Sequence, residues 1–391
     1  KRYDEQEGFL NWLEGVIESR EIDLLLVAGD VFDSAAPSNR AQELYYRFLC
    51  RTAAAPNRHV VVTAGNHDSP TFLDAPRELL KFLNIHVVGC AAESAADEAI
   101  VVPGPDGGPG LIVCAVPYLR DRDIRTAEAG ESAEDKERKI VEGIRSHYRR
   151  VYDAALAKRT ALEREVPIVA MGHLYTEGGR TVEGDGVREL YIGSLLHVGR
   201  DVFPEGIDYL ALGHLHVPQR VGRSDFIRYS GSPLAIGFGE AQQQKSVVLL
   251  EFSAGAPAVC EIPVPRFREF RTLRGDWPAL KAGLEALKRQ GSRPWIEILY
   301  EGDEEAGNLQ NRLEEAVAET GIEILRVKNR HRVERALSGG NTEETLDDLN
   351  AVDVFDRCLE AYRVSEERRP DLLGAYREIL VSLSEQDTRA V

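Results

Sequence analysis

Apolar runs alternate with amphipathic segments over the first quarter of the chain. The apolar positions within residues 9–17 recur at helical spacing, which predicts an opening helix with one buried face. Further helices are expected at about 39–53 and 71–83. Between them, short continuous apolar runs are typical of strands buried on both faces, at 24–28, 60–64 and 85–88. This alternation predicts an α/β domain with functional residues at the carboxyl ends of its strands.

The pattern changes after about Ala99, where strands separated by turns replace the regular alternation. The charged segment 134–164 has helical spacing, and we expect it to pack on the outside of the domain. Strands are expected at 111–116, 166–171, 208–212, 226–230 and 246–252. The mixture predicts a two-sheet α/β sandwich flanked by helices rather than a single doubly wound sheet.

A shift in composition at 263–265 predicts a domain boundary. We predict a core domain at 1–265, a small α/β module at 266–337, and a linker with terminal helices at 338–391. The linker is expected around Ser338 to Asn341, and apolar residues share one helical face beyond it. Amphipathic helices after such a linker often dock on a partner. Packing against the chain's own core is an equally good interpretation.

Composition and charge narrow the class of protein. The 391 residues carry a net charge of −17, which argues against coating nucleic acid by bulk electrostatic attraction. An enzyme that binds nucleic acid through local basic strips stays possible. Such strips occur at 266–274 and 326–335. Ordinary solvated surface faces would show the same pattern of basic residues. The sequence has no apolar run of the roughly 20 residues that a membrane span needs.

The cysteines suggest a reducing compartment. They are odd in number, at positions 50, 90, 114, 260 and 358, with no Cys-x-x-Cys pair. We therefore expect reduced thiols within the core and a cytoplasmic protein.

Four short polar motifs follow glycine at the ends of apolar runs. They are Gly29-Asp30, Gly65-Asn66-His67-Asp68, Gly172-His173 and Gly213-His214-Leu215-His216. A two-metal hydrolase needs one carboxylate that bridges both cations, with imidazoles and an amide oxygen around them. The ordered set predicts such a centre. Phosphate esters are the favoured substrates, because two cations neutralise the ester and activate a water molecule.

Individual roles follow from residue type. Asp30 ends a buried strand, where a carboxylate is costly unless it binds metal, and Asn66 offers a neutral oxygen ligand. His67 is predicted to contact the scissile phosphate or to protonate the leaving oxygen, with Asp68 orienting its ring. Asp33 either supports the site or caps a helix.

The histidines at 173, 214 and 216 differ in how strongly each of them alone indicates a metal site. A lone strand-end histidine such as His173 is more often structural than a ligand. His214 and His216 alternate along a segment predicted to be extended, so both rings are expected on one side, where they reach two adjacent metals.

These motifs resemble those of the calcineurin-like metallophosphoesterases and, more closely, the SbcD-type bacterial nuclease subunits. The similarity lies in LLLVAGDVFDSAAPSNRAQELYYRFL, VVVTAGNHDSP, ALGHLHVPQRV and the later YSGSPL. It implies a DNA nuclease with double-strand exonuclease and single-strand endonuclease activity that works in DNA repair with an SbcC-type ATPase. The module at 266–337 would contact DNA, the terminal helices would bind the ATPase, and the subunits would form homodimers.

The resemblance also implies residue roles. Asp30 would bridge two divalent cations, with Mn²⁺ the favoured metal and Mg²⁺ possible. Asn66, His173 and His214 would complete one site, His216 would belong to the other, and His67 would be the catalytic histidine.

One feature of the family pattern has no match here. Its members begin with a strand that carries Asp-x-His, whereas this sequence opens directly on the helix that follows Lys1. We expect the natural protein to have that strand, and the fragment without it to be inactive. Two alternatives stay open: a phosphoesterase that acts on nucleotides or phosphoproteins, and a non-catalytic scaffold subunit.

Overall fold

The computed structural model describes most of the chain. The described residues are 2–55, 57–125, 133–176, 178–179, 198–253, 257–302, 306–329, 351–362, 364–365, 368–370, 372–373 and 376. Contacts divide the chain into two units, residues 1–267 and 268–391. The predicted linker at Ser338–Asn341 and most of the second terminal helix lie outside the described residues. Within those residues, every helix is too short or too polar to span a lipid bilayer.

The first unit begins with a three-stranded parallel sheet in the order β1-β2-β3. Its strands are β1 (Leu24–Ala28), β2 (His59–Thr63) and β3 (Ile85–Val88). The helices around it are α1 (Tyr3–Ser19), α2 (Asn39–Thr52), α3 (Pro70–Asp74) and α4 (Arg77–Lys81). The helix expected at 71–83 is therefore two short helices, which break at the Ala75-Pro76 pair because proline cannot continue a helix.

A six-stranded sheet follows in the order β4-β5-β6-β7-β9-β8. Its strands are β4 (Ala99–Pro103), β5 (Pro109–Ala115), β6 (Ile168–His173), β7 (Tyr209–Gly213), β8 (Gln219–Arg220) and β9 (Ile227–Tyr229). The helices are α5 (Ala95–Glu98), α6 (Asp121–Ile124) and α7 (Ala133–Ala161). Strands β5, β6, β7 and β9 are parallel, so their carboxyl ends meet at one edge. A hairpin of β10 (Ser246–Glu251) and β11 (Ala258–Pro263) completes the unit.

The two sheets face each other across an apolar layer. Val61, Val113 and Met171 are buried in this layer, while the neighbouring Val60 and Val62 point to the opposite face, where the helices pack. This alternation is the period of two that a strand imposes. On the far face of the second sheet, α7 covers a separate core. The predicted sandwich of two sheets flanked by helices is confirmed.

The cysteine prediction was wrong in part. All five cysteines are free, but only Cys114 is buried, whereas Cys50, Cys90 and Cys260 are exposed. Apolar neighbours in sequence were misleading because Cys50 and Cys260 lie on outward faces of α2 and β11, and Cys90 lies in the bend that follows β3.

The second unit is a small α/β module. Its parallel sheet contains β12 (Phe270–Gly275), β13 (Trp295–Tyr300) and β14 (Glu323–Asn329) in that order. Helices α8 (Trp277–Arg289) and α9 (Ala306–Val317) pack with it around Leu280, Ile296 and Ile298. A further helix, α10 (Ala351–Ala361), carries Phe355, whose ring stacks on Tyr376 at 4.1 Å between centroids.

Candidate metal centre

The predicted metal ligands meet where strands from both sheets of the first unit end. Asp30 follows β1 and Asn66 follows β2, while His173 is the last residue of β6 and His214 follows β7. Strand β1 contacts both β6 and β7 at this edge. Carboxyl ends of parallel strands are the usual place for binding sites in layered α/β domains.

Glycine before the ligands lets these chain segments approach closely. Gly29 has φ +81°, and a Cβ there would overlap the His173 ring and the backbone of Gly65. A Cβ at Gly213 would overlap the carbonyl of Ala28. The Gly-ligand pattern in the sequence therefore has a steric cause, because a side chain at either position would push the strand ends apart.

Four side chains place ligand atoms within hydrogen-bonding distance of one another. His173 Nε2 lies 3.2 Å from Asp30 Oδ2 and 3.0 Å from Asn66 Oδ1. His214 Nδ1 also lies 3.0 Å from Asn66 Oδ1. Two ligands bound at right angles to a cation, each about 2.1 Å away, are about 3.0 Å apart. The spacing thus fits a set of ligands that surround one divalent cation.

The tautomer of His173 also suits a metal ligand. The Nδ1 atom of His173 lies 2.9 Å from the carbonyl oxygen of Ala28, a contact in which the ring nitrogen donates, so Nε2 carries the lone pair of a neutral ring. That lone pair then faces two further acceptors, Asp30 Oδ2 and Asn66 Oδ1. A divalent cation at this point would take up the lone pairs of all three side chains.

The charge states of the site suit metal binding. Burial alone would raise the pKa of Asp30, but hydrogen bonds and charge interactions with His173 and His67 outweigh it and lower the pKa to about 2. Burial, followed by the nearby His173, lowers the pKa of His214 to about 4. At neutral pH the site therefore offers an ionised carboxylate and a neutral imidazole, the forms that bind cations.

Two of the predicted ligands have unusual backbone conformations. Asp30 has φ +48° and His214 has φ +96°, a region that residues with a side chain rarely adopt. Strained conformations of this kind cluster at functional sites. His214 also corrects the prediction of an extended His-x-His segment, because β7 ends at Gly213 and the chain turns at His214.

Asp33, rather than Asp68, is the partner of the His67 ring. The Nδ1 atom of His67 lies 3.1 Å from the carbonyl oxygen of Asp33, so this carbonyl, not Asp68, orients the ring. Asp33 does not cap the next helix, where Ser38 is the N-cap. His67 remains partly accessible, with 17% of its side chain exposed.

Asp68 is a buried support for the loop that carries Asp30. Its carboxylate accepts hydrogen bonds from the backbone amides of Gly65, Val31 and Phe32 at 2.8, 3.1 and 2.9 Å. Burial raises the pKa of Asp68, and the three amides oppose that rise. The sequence prediction that Asp68 orients His67 was wrong because its acceptor atoms are used by the backbone.

His216 lies apart from the convergent cluster. Among the described residues, Asp30, His173 and His214 form a group whose ligand atoms lie within 4.8 Å of one another, and His216 is not part of it. The Nδ1 atom of His216 instead lies 3.3 Å from Glu240 Oε1, and Lys245 Nζ lies 2.7 Å from Glu240 Oε2. His216 thus has its own buried support.

Sequence reasoning missed three residues near the site. Glu240 and Lys245 support His216, and Tyr118 packs edge-on against the His173 ring, 6.3 Å between centroids. Tyr118 and Glu240 have no motif or spacing that marks them. A buried lysine in a polar segment is equally hard to recognise without the fold.

The basic strips are largely neutralised in the second unit. Arg274 lies 3.4 Å from Glu301, and both Arg326 and Lys328 lie within 3.6 Å of Glu297. Arg268 pairs with Glu323 and stacks on Trp295. The predicted basic residues at 330, 332 and 335 lie outside the described residues.

The fold and the site together define a metallophosphoesterase. The family model described as calcineurin-like phosphoesterase matches residues 2–218. A second family model, described as a type 5 capsule protein repressor C-terminal domain, matches residues 266–363.

Curated relatives narrow the class further. The SbcD subunit of the SbcCD nuclease from Escherichia coli K12 is 34% identical over 98% of this chain and 94% of its own length. The corresponding proteins of Rhodobacter capsulatus and Bacillus subtilis are 35% and 33% identical over 76% and 66% of this chain, and over 70% and 63% of their own lengths. The chain belongs to the SbcD nuclease-subunit family of calcineurin-like phosphoesterases, and it is a phosphodiester hydrolase of the metal-binding kind.

Proposed function

We propose that this chain is the DNA-cleaving subunit of a nuclease complex, with double-strand exonuclease and single-strand endonuclease activity. The observation that carries the proposal is the convergence of Asp30, Asn66, His173 and His214 at the strand ends. The names of the relatives support a nuclease rather than another phosphoesterase.

In this proposal the site holds two divalent cations. Asp30, Asn66, His173 and His214 would hold one of them, and Asp30 and His216 would contribute to the other. Two imidazoles on one ion are more than Mg²⁺ usually takes, because Mg²⁺ prefers oxygen ligands and retains water. We therefore favour Mn²⁺, with Mg²⁺ as the second metal to test. When bound, the cations supply positive charge to the phosphate and lower the pKa of water.

The protein's own groups orient and transfer the proton. With the His67 Nδ1–H donating to the Asp33 carbonyl, the doubly protonated ring would use its Nε2–H to contact the phosphate or to protonate the leaving oxygen, and Nε2 would then keep the lone pair. The backbone amide of His67 donates to Asp30 Oδ1 at 3.0 Å. This bond ties the position of the His67 ring to the Asp30 carboxylate, and Asp68 holds both segments in place.

The partner is proposed to be an SbcC-type ATPase. The relatives are named as one subunit of a complex, and the C-terminal family match extends through α10. The module at 266–337 is proposed to contact DNA, and the helices within 338–391 to bind the ATPase. The stacking of Phe355 on Tyr376 gives these helices a defined apolar pairing.

A homodimer is supported by an exposed apolar patch on the first unit. Leu79 and Phe82 are 69% and 89% exposed, and Leu83 lies beside them at 43%. Neighbouring apolar side chains at this level of exposure commonly mark protein interfaces. A Phe82→Glu variant should therefore elute as a monomer in size-exclusion chromatography with light scattering, and elution unchanged from the wild type would remove this support.

Cleavage assays with Mn²⁺ test the proposed activity. The substrates are a linear duplex, a single-stranded circle and bis(p-nitrophenyl) phosphate, each with and without the ATPase partner. We expect cleavage of both DNAs by the chain joined to an upstream strand that carries Asp-x-His, which is the reference form in these assays. His67→Ala should lower the rate by about 10²- to 10⁴-fold, the usual contribution of a general acid, without weakening Mn²⁺ binding.

The same assays distinguish the alternatives. Turnover of the small diester without cleavage of either DNA would favour a phosphoesterase with another substrate. Absence of all turnover in a protein that binds the ATPase would favour a scaffold subunit. Either result would contradict the proposed nuclease.

A further inference from the structure

The segment that follows β5 carries a tyrosine and an arginine beside the metal centre. Tyr118 packs its ring edge-on against His173, with 6.3 Å between the ring centroids. Arg120 donates from Nη2 to the carbonyl oxygen of Asp68 at 3.4 Å, and Asp68 directly follows His67 in the chain. The two side chains therefore lie next to a predicted metal ligand and next to the loop that carries the proposed catalytic histidine.

The backbone of this segment is fixed at three points. The amide of Tyr118 donates to the carbonyl oxygen of Ala64 at 2.9 Å, directly after β2. Leu119 packs into the core that α7 covers, and the carboxylate of Asp123 accepts a hydrogen bond from the amide of Arg120 at 3.0 Å. Tyr118 and Arg120 are consequently placed in advance, which lowers the entropy cost of binding a ligand.

Both side chains keep polar atoms that can bind a ligand. A guanidinium has five N–H donors, and among the described residues that of Arg120 makes one hydrogen bond, to Asp68. The Tyr118 hydroxyl makes none within the same part of the chain. Neither group is among the buried atoms that lack a partner, so their remaining donors are open to solvent.

Arg120 is also a cation without a counter-charge in the described part of the chain. Two neighbouring arginines do have one: Arg122 pairs with Asp123 at 3.8 Å, and Arg125 pairs with Asp121 at 3.1 Å. No carboxylate of the described residues forms an ion pair with the Arg120 guanidinium. In a chain of net charge −17, an arginine left in this state beside a metal centre favours an anion from outside the chain.

Electrostatic interactions link the Tyr118 hydroxyl both to Arg120 and to the metal centre. Burial and the nearby Asp121 raise the pKa of Tyr118, the cation of Arg120 lowers it, and the carboxylate of Asp30 raises it. The hydroxyl is therefore near enough to both charges to interact with them. A group that binds here would contact the tyrosine and the arginine together.

The position of the pair indicates a phosphate next to the one that is cleaved. The scissile phosphate would lie at the convergent metal ligands, and the Arg120 guanidinium donates instead to Asp68. That contact is one residue beyond His67, and successive Cα atoms are about 3.8 Å apart. Since a nucleic-acid strand has a phosphate at every nucleotide, the neighbouring phosphate is the anion that this displacement fits.

We propose that Tyr118 and Arg120 bind a backbone phosphate of the nucleic-acid strand, one nucleotide away from the phosphate at the metal centre. The guanidinium donates to the phosphate oxygens, and the tyrosine hydroxyl adds a further hydrogen bond. This inference rests on the proposed nuclease function, because it takes a polynucleotide as the substrate. It also gives the site a preference for a strand over a small diester, which has no second phosphate.

The salt dependence of DNA binding tests the proposal without cleavage. A fluorescent single-stranded oligonucleotide is titrated with the full chain in Mn²⁺, in a His67→Ala background that prevents cleavage, at several salt concentrations. Each phosphate contact with a single strand contributes about 0.7 to the slope of log K against log salt concentration. Arg120→Gln, which keeps a donor for the Asp68 carbonyl, should lower that slope by about 0.7 and weaken binding about tenfold.

Arg122→Gln is the matched control. It removes the same charge from the same segment, but 72% of the Arg122 side chain is exposed and it pairs with Asp123, so the slope should stay at the value of the parent protein. Arg120→Lys keeps the charge and loses the fork of donors, so it should keep the slope and bind more weakly. Tyr118→Phe should also keep the slope and weaken binding about 2- to 10-fold.

Kinetics separate a substrate contact from a structural support. In the chain joined to an upstream strand that carries Asp-x-His, Arg120→Gln should lower kcat/KM for single-stranded DNA about tenfold more than kcat/KM for bis(p-nitrophenyl) phosphate. The difference should lie mainly in KM for DNA. Equal losses for the two substrates would mean that Arg120 supports the loop of Asp68 and binds no second phosphate, which would overturn the proposal.

The outcomes separate this inference from the proposed function. An unchanged salt slope in Arg120→Gln, or the same change of slope in Arg122→Gln, would overturn the phosphate site and leave the nuclease proposal intact. The expected change of slope in a protein that cleaves neither DNA would contradict the nuclease proposal alone.

Discussion

Polar side chains cluster in two regions of this protein, each on a parallel sheet, and the two clusters differ in the partners that these side chains have. At the strand ends of the first unit, Asp30, Asn66 and His173 direct acceptor atoms at one another across about 3 Å. On the sheet of the second unit, Arg326 and Lys328 lie beside the carboxylate of Glu297. The first cluster directs ligand atoms at one point where a cation can bind, whereas the basic side chains of the second already share a carboxylate of their own sheet. Partners, rather than the number of charged residues, indicate where a ligand can bind.

Removal of the central carboxylate should give the largest effect. Asp30→Asn is expected to weaken Mn²⁺ binding by more than about 100-fold, because the loss of a group behind a ligand already costs 10- to 100-fold. Nuclease activity should fall with it. Titration with Mn²⁺ checks the change, and Asp106→Asn, which alters an exposed carboxylate in the β4–β5 turn, should bind like the wild type. Mn²⁺ affinity in Asp30→Asn equal to that control would refute the assigned ligand.

Removal of Asp68, which supports the loop that carries Asp30, should give the second-largest effect. Asp68→Ala leaves three backbone amides without their acceptor, so we expect about 3 kcal/mol or more of lost stability. Urea unfolding measures it. Asp74→Ala, which frees one backbone amide, that of Gly89, and the weakly bonding thiol of Cys90, is the matched control and should cost clearly less. Equal losses of stability in Asp68→Ala and Asp74→Ala would show that the three amide hydrogen bonds to Asp68 do not stabilise the fold more than the contacts of Asp74 do.

Acid unfolding of the metal-free protein should isolate Asp30. Its folded pKa of about 2 lies below the ordinary aspartate value of 3.8, so its stabilising contribution is present above pH 3.8 and is lost as the pH falls toward 2. Between pH 5 and pH 2, the wild type should lose about 2 kcal/mol more than Asp30→Asn. Parallel pH profiles of the two proteins would mean that Asp30 has no favourable partners in the folded state.

The smallest effect is expected in the second unit. Arg274→Ala breaks an exposed pair with Glu301, which should change the free energy of unfolding by no more than about 1 kcal/mol. Mn²⁺ binding and turnover of the small diester should stay at the wild-type level. A loss of either one would show that the charges of this unit contribute to the metal centre and are not simply neutralised within their own sheet.

Particular residues show which features of the fold and of the candidate site could be predicted from the sequence and which could not. The strands before Asp30, Asn66, His173 and His214 were predictable because a buried parallel strand is a continuous apolar run, and glycine before each ligand marks close approach. The contacts of Asp68 were not, since they depend on how two loops pair their amides. The turn at His214 and the convergence of Glu240 and Lys245 on His216 likewise arise from loop closure, which has no periodic signature.

Anomalous diffraction from a crystal grown with Mn²⁺ is the most direct test of the proposed metal centre. We predict a manganese peak about 2.0–2.4 Å from Asp30 Oδ2, Asn66 Oδ1, His173 Nε2 and His214 Nδ1, as expected for divalent ligation. A peak bound by other residues, or none between these four atoms at saturating Mn²⁺, would contradict this ligand set.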